Sequence, residues 1–113
     1  MNDNPEKLAN DKIEKETIKS LEDSEAELTF MAKVMNCRIG GEKERHISVL
    51  ISEANKLLLE TRKILERSNN NTQAILHPNV RKGHLEKVCE NIIVVRRRKT
   101  EIRQAILAAL NDE

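Results

Sequence analysis

Three histidines, His46, His77 and His84, and two cysteines, Cys37 and Cys89, are the side chains of this sequence best suited to holding a metal ion or moving a proton. Zinc bound on a helix takes ligands three or four residues apart, a spacing that puts them on one face. His84 and Cys89 are five apart and His77 precedes a proline, so a site made from these three would need donors that do not converge. They read instead as helix-end and surface histidines and as small, partly covered thiols. Gly40-Gly41-Glu42-Lys43 lacks the spaced glycines and following Lys-Ser/Thr of a phosphate-binding loop. The acidic groups Glu14/Glu16 and Glu22/Glu25/Glu27 have the character of solvated helix faces. Lys12 with Glu16, and Lys19 with Asp23, are spaced to pair one turn apart. No nucleophile stands at a spacing that would give it a base. The expectation is a protein that is not an enzyme, with no catalytic residue, no cofactor and no metal.

The strongest charge feature is basic. Arg96-Arg97-Arg98-Lys99 directly follows the apolar run Ile92-Ile93-Val94-Val95, with Arg81-Lys82 before it and Arg103 after it. On a helix, consecutive residues point in different directions, so the cluster wraps around the rod. Arg97 is placed to pair with Glu101, and Arg96 and Arg103 to reach acids of the first helix. Charge left over from such pairing can meet an acidic partner: a protein, a lipid headgroup or a nucleic-acid backbone. Nucleic acid is the disfavoured one. The net charge is only +1 and Phe30 is the one aromatic residue, so basicity is local and base-stacking platforms are missing. Ile93 and Val94 lie off the heptad seam, as do extra apolar residues at Leu57-Leu58-Leu59 and Phe30-Met31. Apolar surface left outside a core marks a partner site. The residues expected to bind a partner are Arg81, Ile93, Val94, Arg96, Arg97 and Arg103.

These side chains must be positioned by helices. With 35% charged residues, 38% hydrophobic ones, three glycines and two prolines in 113 residues, the chain has the composition of long helices rather than of a turn-rich sheet protein. Asn4-Pro5-Glu6 can start a helix and Gly40-Gly41 can end one. Asn69-Asn70-Asn71 stops a second, and a third follows His77-Pro78-Asn79. Leu85, Val88, Ile92, Val95, Lys99, Ile102, Ile106 and Ala109 recur at spacings of three and four, an a/d seam. Lys99 in that seam is expected to lay its stem along it and send its ammonium to water. Ile47, Leu50, Ala54, Leu57, Thr61 and Ile64 form a second seam, widened by Ile51, Leu58 and Leu65. Leu21, Leu28, Met31, Val34 and Met35 form the third.

The fold expected is therefore all-α, an antiparallel three-helix bundle (up-down-up) of long helices with coiled-coil character. Its helices are placed at about 5–39, 43–68 and 80–110. Residues 18–110 would make the bundle. Residues 1–17, a polar extension of the first helix with only Leu8 and Ile13 for packing, are expected to overhang, fray or dock elsewhere. The connection carrying the Asn run should be mobile, with Ile75 and Leu76 folding back as a lid on the core and Phe30 as the core's aromatic. No apolar run approaches the ~18 residues of a membrane span, and the polar N-terminus does not read as a signal peptide. Cytoplasmic or nuclear localisation is the expectation.

Three helices of this length resemble spectrin-type repeats, the regulatory domains of syntaxins, and BAG domains. A spectrin repeat typically carries a core Trp, which this chain lacks. In local detail Arg81-Lys82-Gly83-His84-Leu85-Glu86-Lys87-Val88-Cys89 resembles the start of the last BAG helix. There an Arg and a later Gln contact the nucleotide-binding domain of an Hsp70-type chaperone. Arg81 matches that Arg; Cys89 stands where the Gln belongs. The resemblance implies a nucleotide-exchange co-chaperone. The residues themselves imply a non-enzymatic protein–protein interaction module, or a small adaptor subunit of a larger complex. Such a module would dock through exposed apolar helix faces, with basic residues for orientation. Heptads that close a bundle internally can also pair between chains, so a homo-oligomer is the pattern's other outcome.

Overall fold

A computed structural model describes residues 5–111 of the chain, apart from the side chain of Ile75. It is all-helical, with no strand among the described residues: α1 Pro5–Arg38, α2 Gly41–Asn70, α3 Thr72–Leu76 and α4 Pro78–Asn111. The three long helices each pack against the other two, and α3 packs on α2 and α4. The result is a rod of 62 × 19 × 17 Å.

Local chemistry sets the ends. Pro5 opens α1 with Glu6 in its first turn, and Arg38 lies in its last, each charge matched to the helix dipole. The chain then reverses over Ile39 and Gly40. Gly41 has φ +69°, a left-handed conformation that a side chain would strain, and it is the glycine here that the backbone requires. The second connection differs from the expected ten-residue mobile link. Asn69 and Asn70 continue α2, and Asn71 ends it with its N–H on Ser68 O at 3.3 Å. The same residue starts α3, its side-chain oxygen accepting from the N–H groups of Gln73 (2.8 Å) and Ala74 (3.3 Å). Asparagine is suited to that double duty, because its short carboxamide reaches backbone donors two and three residues on. Pro78 holds His77 extended (φ −121°), closes α3 there, and takes the first position of α4.

Two core assignments need correction. Leu76 is 64% exposed and forms no lid; Ala74 is the buried residue of α3, and the side chain of Ile75 lies outside the described residues. Phe30 is 67% exposed, so the core contains no aromatic side chain. It precedes the core residue Met31, and one residue on a helix is a rotation of about 100°, enough to leave the seam.

The eight-residue seam of α4 is buried throughout, Lys99 included. In α2 the buried residues are Ile47, Ile51, Ala54, Leu58, Thr61, Leu65 and Ser68, whereas Leu50, Leu57 and Ile64 are half-buried flanks. A helix that meets two neighbours buries the centre of its apolar stripe most deeply. One polar pair in the interior is satisfied there. The Thr61 hydroxyl donates to Leu57 O at 2.7 Å and accepts from Asn91 Nδ2 at 3.2 Å. A buried hydrogen bond adds only about 1 kcal/mol net, but a buried donor left alone costs about 1–3 kcal/mol.

Candidate functional site

The ion pairs fix which faces meet. Arg81, in the first turns of α4, binds Asp11 (2.7 Å) and Glu14 of α1, and Asn10 Nδ2 donates to Pro78 O at 3.1 Å. Farther along, Arg96 donates to Ser20 Oγ at 3.2 Å, and Glu27 accepts from Lys99 at 3.2 Å and Arg103 at 3.5 Å. Low numbers of α1 therefore lie beside low numbers of α4, and the two helices run the same way. Arg62 of α2 binds Glu25 of α1, and Ser48 lies against Met35, so α2 runs opposite to α1.

Along this α1/α4 valley, polar contacts give way to apolar ones toward the C-terminal ends. Phe30, Val34, Leu107 and Leu110, with Ala26, Met31 and Ile106, line an open groove of about 570 Å³ with Glu27 and Arg103 at its rim. Phe30 (67% exposed) and Leu107 (53% exposed) stand over it. Neither residue was among those expected to bind a partner. Their signal was faint, an aromatic one position off the α1 seam and a leucine inside the run Ala105–Leu110.

The expected residues separate into three groups. Arg81 is committed within the chain: its side chain is only 16% exposed and both carboxylates hold it. Burial works to lower its pKa, but the hydrogen bonds and charges of Asp11 and Glu14 outweigh it and hold the guanidinium above its usual value. Arg96 and Arg103 are exposed but touch α1, as their spacing implied. Arg97 is exposed, and Glu101 pairs with Arg98 (3.2 Å) rather than with it. Ile93 (56%) and Val94 (38%) stand open on the outer side of α4. Lys99 lays its stem in the seam, and its ammonium ends on Glu27.

Other chemistry is sparse. Among the described residues, no group of three or more His, Cys, Asp or Glu is placed to hold a metal ion. Cys37 is exposed and Cys89 half-buried. Burial raises the Cys89 thiol pKa, with Arg96 opposing and Glu16 and Glu86 adding to the rise. No described helix is long and apolar enough to cross a membrane. No protein-family model matches the chain, and no curated protein or solved structure matches it either.

Proposed function

We propose that the chain is an antiparallel three-helix bundle with coiled-coil seams that serves as a non-enzymatic interaction module. Its partner is an amphipathic helix of another protein, with acidic residues beside its apolar face, lying in the α1/α4 valley. The observation that carries this is the groove under Phe30 and Leu107. Large apolar side chains left open around a concavity are the usual anchor of helix-in-groove recognition.

Charge supports the sign of the partner. Glu27 faces two cations, Lys99 and Arg103, so the rim of the groove keeps one positive charge in excess. Among the described residues Arg96 meets the Ser20 hydroxyl, and Arg97 has no carboxylate partner. From Arg96 to Leu110 these side chains cover about 21 Å of α4, the length of about four helical turns. Steering by such a strip speeds and orients docking more than it tightens it. Residues 18–110 carry the module, with residues 1–17 an extension of it. A cytoplasmic or nuclear adaptor role fits these features. The chaperone-cofactor alternative requires Arg81 to leave two carboxylates for a third partner, and no observation favours that exchange.

The test compares affinity capture by the tagged chain with capture by Phe30→Ser/Leu107→Ser and by Arg96→Glu/Arg97→Glu. All four side chains are exposed, so melting should stay within about 2 °C of wild type. A protein captured by the wild-type chain should be lost with the first variant and bound more weakly, with steeper dependence on salt removed, by the second. Equal capture by all three chains refutes the docking face. Light scattering on the same samples gives the mass, and twice the monomer mass would assign the groove to a second copy instead.

A further inference from the structure

A second concavity lies away from the α1/α4 valley, between the end of α2 and the beginning of α4. It measures about 290 Å³ and is lined by Ile64, Arg67, Asn71, Gly83, His84 and Lys87. Three of the six can carry positive charge and none is a carboxylate. We propose that this pocket binds a phosphate group carried by a small molecule or a lipid headgroup.

The hydrogen-bonding inventory fits that ligand. Arg67 comes from the last turn of α2 and has no carboxylate partner among the described residues. Lys87 is close to one acid only, Glu90 at 3.8 Å, and both side chains are more than half exposed, so water screens the pair and a multiply charged anion outcompetes it. The Asn71 side chain spends its oxygen on the N–H groups of Gln73 and Ala74, which leaves its Nδ2 group as a donor. His84 lines the same pocket, and its Nδ1 is buried with no hydrogen-bond partner among the described residues. Gly83 has open space where a Cβ would stand. Guanidinium, ammonium and carboxamide donors around a pocket that no carboxylate lines suit a tetrahedral oxyanion.

The size and the walls limit what carries the phosphate. At about 290 Å³ the pocket is at the lower end of small-molecule sites. Ile64 is its one large apolar wall and no aromatic ring lines it, so it offers no stacking surface to a nucleobase. A neighbouring trough at the same end of the rod makes a useful contrast. Its arginine, Arg81, is already neutralised by Asp11 and Glu14, which leaves Lys7 as the other cation lining it. Arg67 and Lys87 line one pocket together.

The experiment is a titration of isotope-labelled protein with inorganic phosphate, against sodium chloride at matched ionic strength, followed by amide chemical shifts. Saturable shifts centred on Asn71, Gly83, His84 and Lys87 are expected. Arg67→Gln/Lys87→Gln should weaken them by about tenfold or more while leaving the melting temperature unchanged. Shifts that rise linearly without saturating, that are as large around Arg96 and Arg97, or that persist in the double variant would overturn the proposal. A second arm uses vesicles containing phosphoinositide. Sedimentation with them that is lost in the double variant assigns the headgroup as source, whereas saturable phosphate binding without sedimentation assigns a soluble compound.

Discussion

Replacing Arg81 by Met would release the first turns of α1 from α4 while keeping most of the arginine stem's packing. The structure sets the size of the loss. The Arg81–Glu14 bond joins side chains 16% and 18% exposed, and a charged hydrogen bond in such a place contributes about 1.5 kcal/mol. Asp11 is half exposed, so its bond is discounted to the surface value of about 0.5 kcal/mol. Together they make about 2 kcal/mol, or a melting temperature lowered by roughly 8 °C for a chain of this length. Thermal melts followed by circular dichroism give the total. Combining Arg81→Met with Glu14→Gln should return about 1 kcal/mol of coupling. The effect is also local. Amide exchange should quicken in residues 5–17 of α1 and stay slow around Leu28, which is fully buried at the middle of the rod. If Arg81→Met melts with wild type and residues 5–17 exchange unchanged, the polar start of α1 is not held by this arginine, and the reasoning fails.

Thr61→Val should destabilise by about 1–2 kcal/mol in urea unfolding, because it strands the buried Asn91 amide, and adding Asn91→Leu should recover part of that loss. Gly41→Ala should cost about 1 kcal/mol for its φ of +69° alone, since nothing within 4 Å would touch the added Cβ; an unchanged midpoint would mean that the turn relaxes. Cys37, which is exposed, should be alkylated well before Cys89, whose thiol burial raises in pKa; the Cys89 thiolate, the reactive form, should become populated only at higher pH, so its labelling rate keeps rising as the medium is made more alkaline. Equal labelling rates in the folded protein would contradict the burial of Cys89.

The seam of α4 was readable to the residue because its aliphatics repeat at strict spacings of three and four, so period alone locates the buried face. In α2 the same logic found the helix but placed Leu50, Leu57 and Ile64 too deep. A stripe broad enough to meet two neighbours has no single phase in sequence, and only the neighbours decide which edge is its centre. The beginning of α1 was harder still. Leu8, Ile13 and Ile18 give almost no apolar signal, and what ties this stretch down is polar: Asn10 on the Pro78 carbonyl, and Asp11 and Glu14 on Arg81. Partners 67 and 68 residues apart leave no trace in local periodicity. The same limit applies to the proposed docking face. Ile93 and Val94 could be read as outward from the α4 seam, but the groove under Phe30 exists only because α1 and α4 run side by side in that register.

That register also explains why a net charge of +1 is an incomplete description of the surface. Acids gather on α1 and arginines on α4, and lying parallel the two helices cancel one another unevenly. At the N-terminal end two carboxylates, Asp11 and Glu14, hold one guanidinium, Arg81, whose charge is taken up within the chain. Around Glu27 one carboxylate meets two cations, and the excess turns positive beside the groove. Both ends expose large apolar side chains, Leu8 and Leu76 at the first and Phe30 and Leu107 at the second, where they stand over a groove. The acidic amphipathic helix proposed as partner would meet that groove and the surplus cation beside Glu27 together, whereas at the first end the guanidinium of Arg81 is already held by two carboxylates.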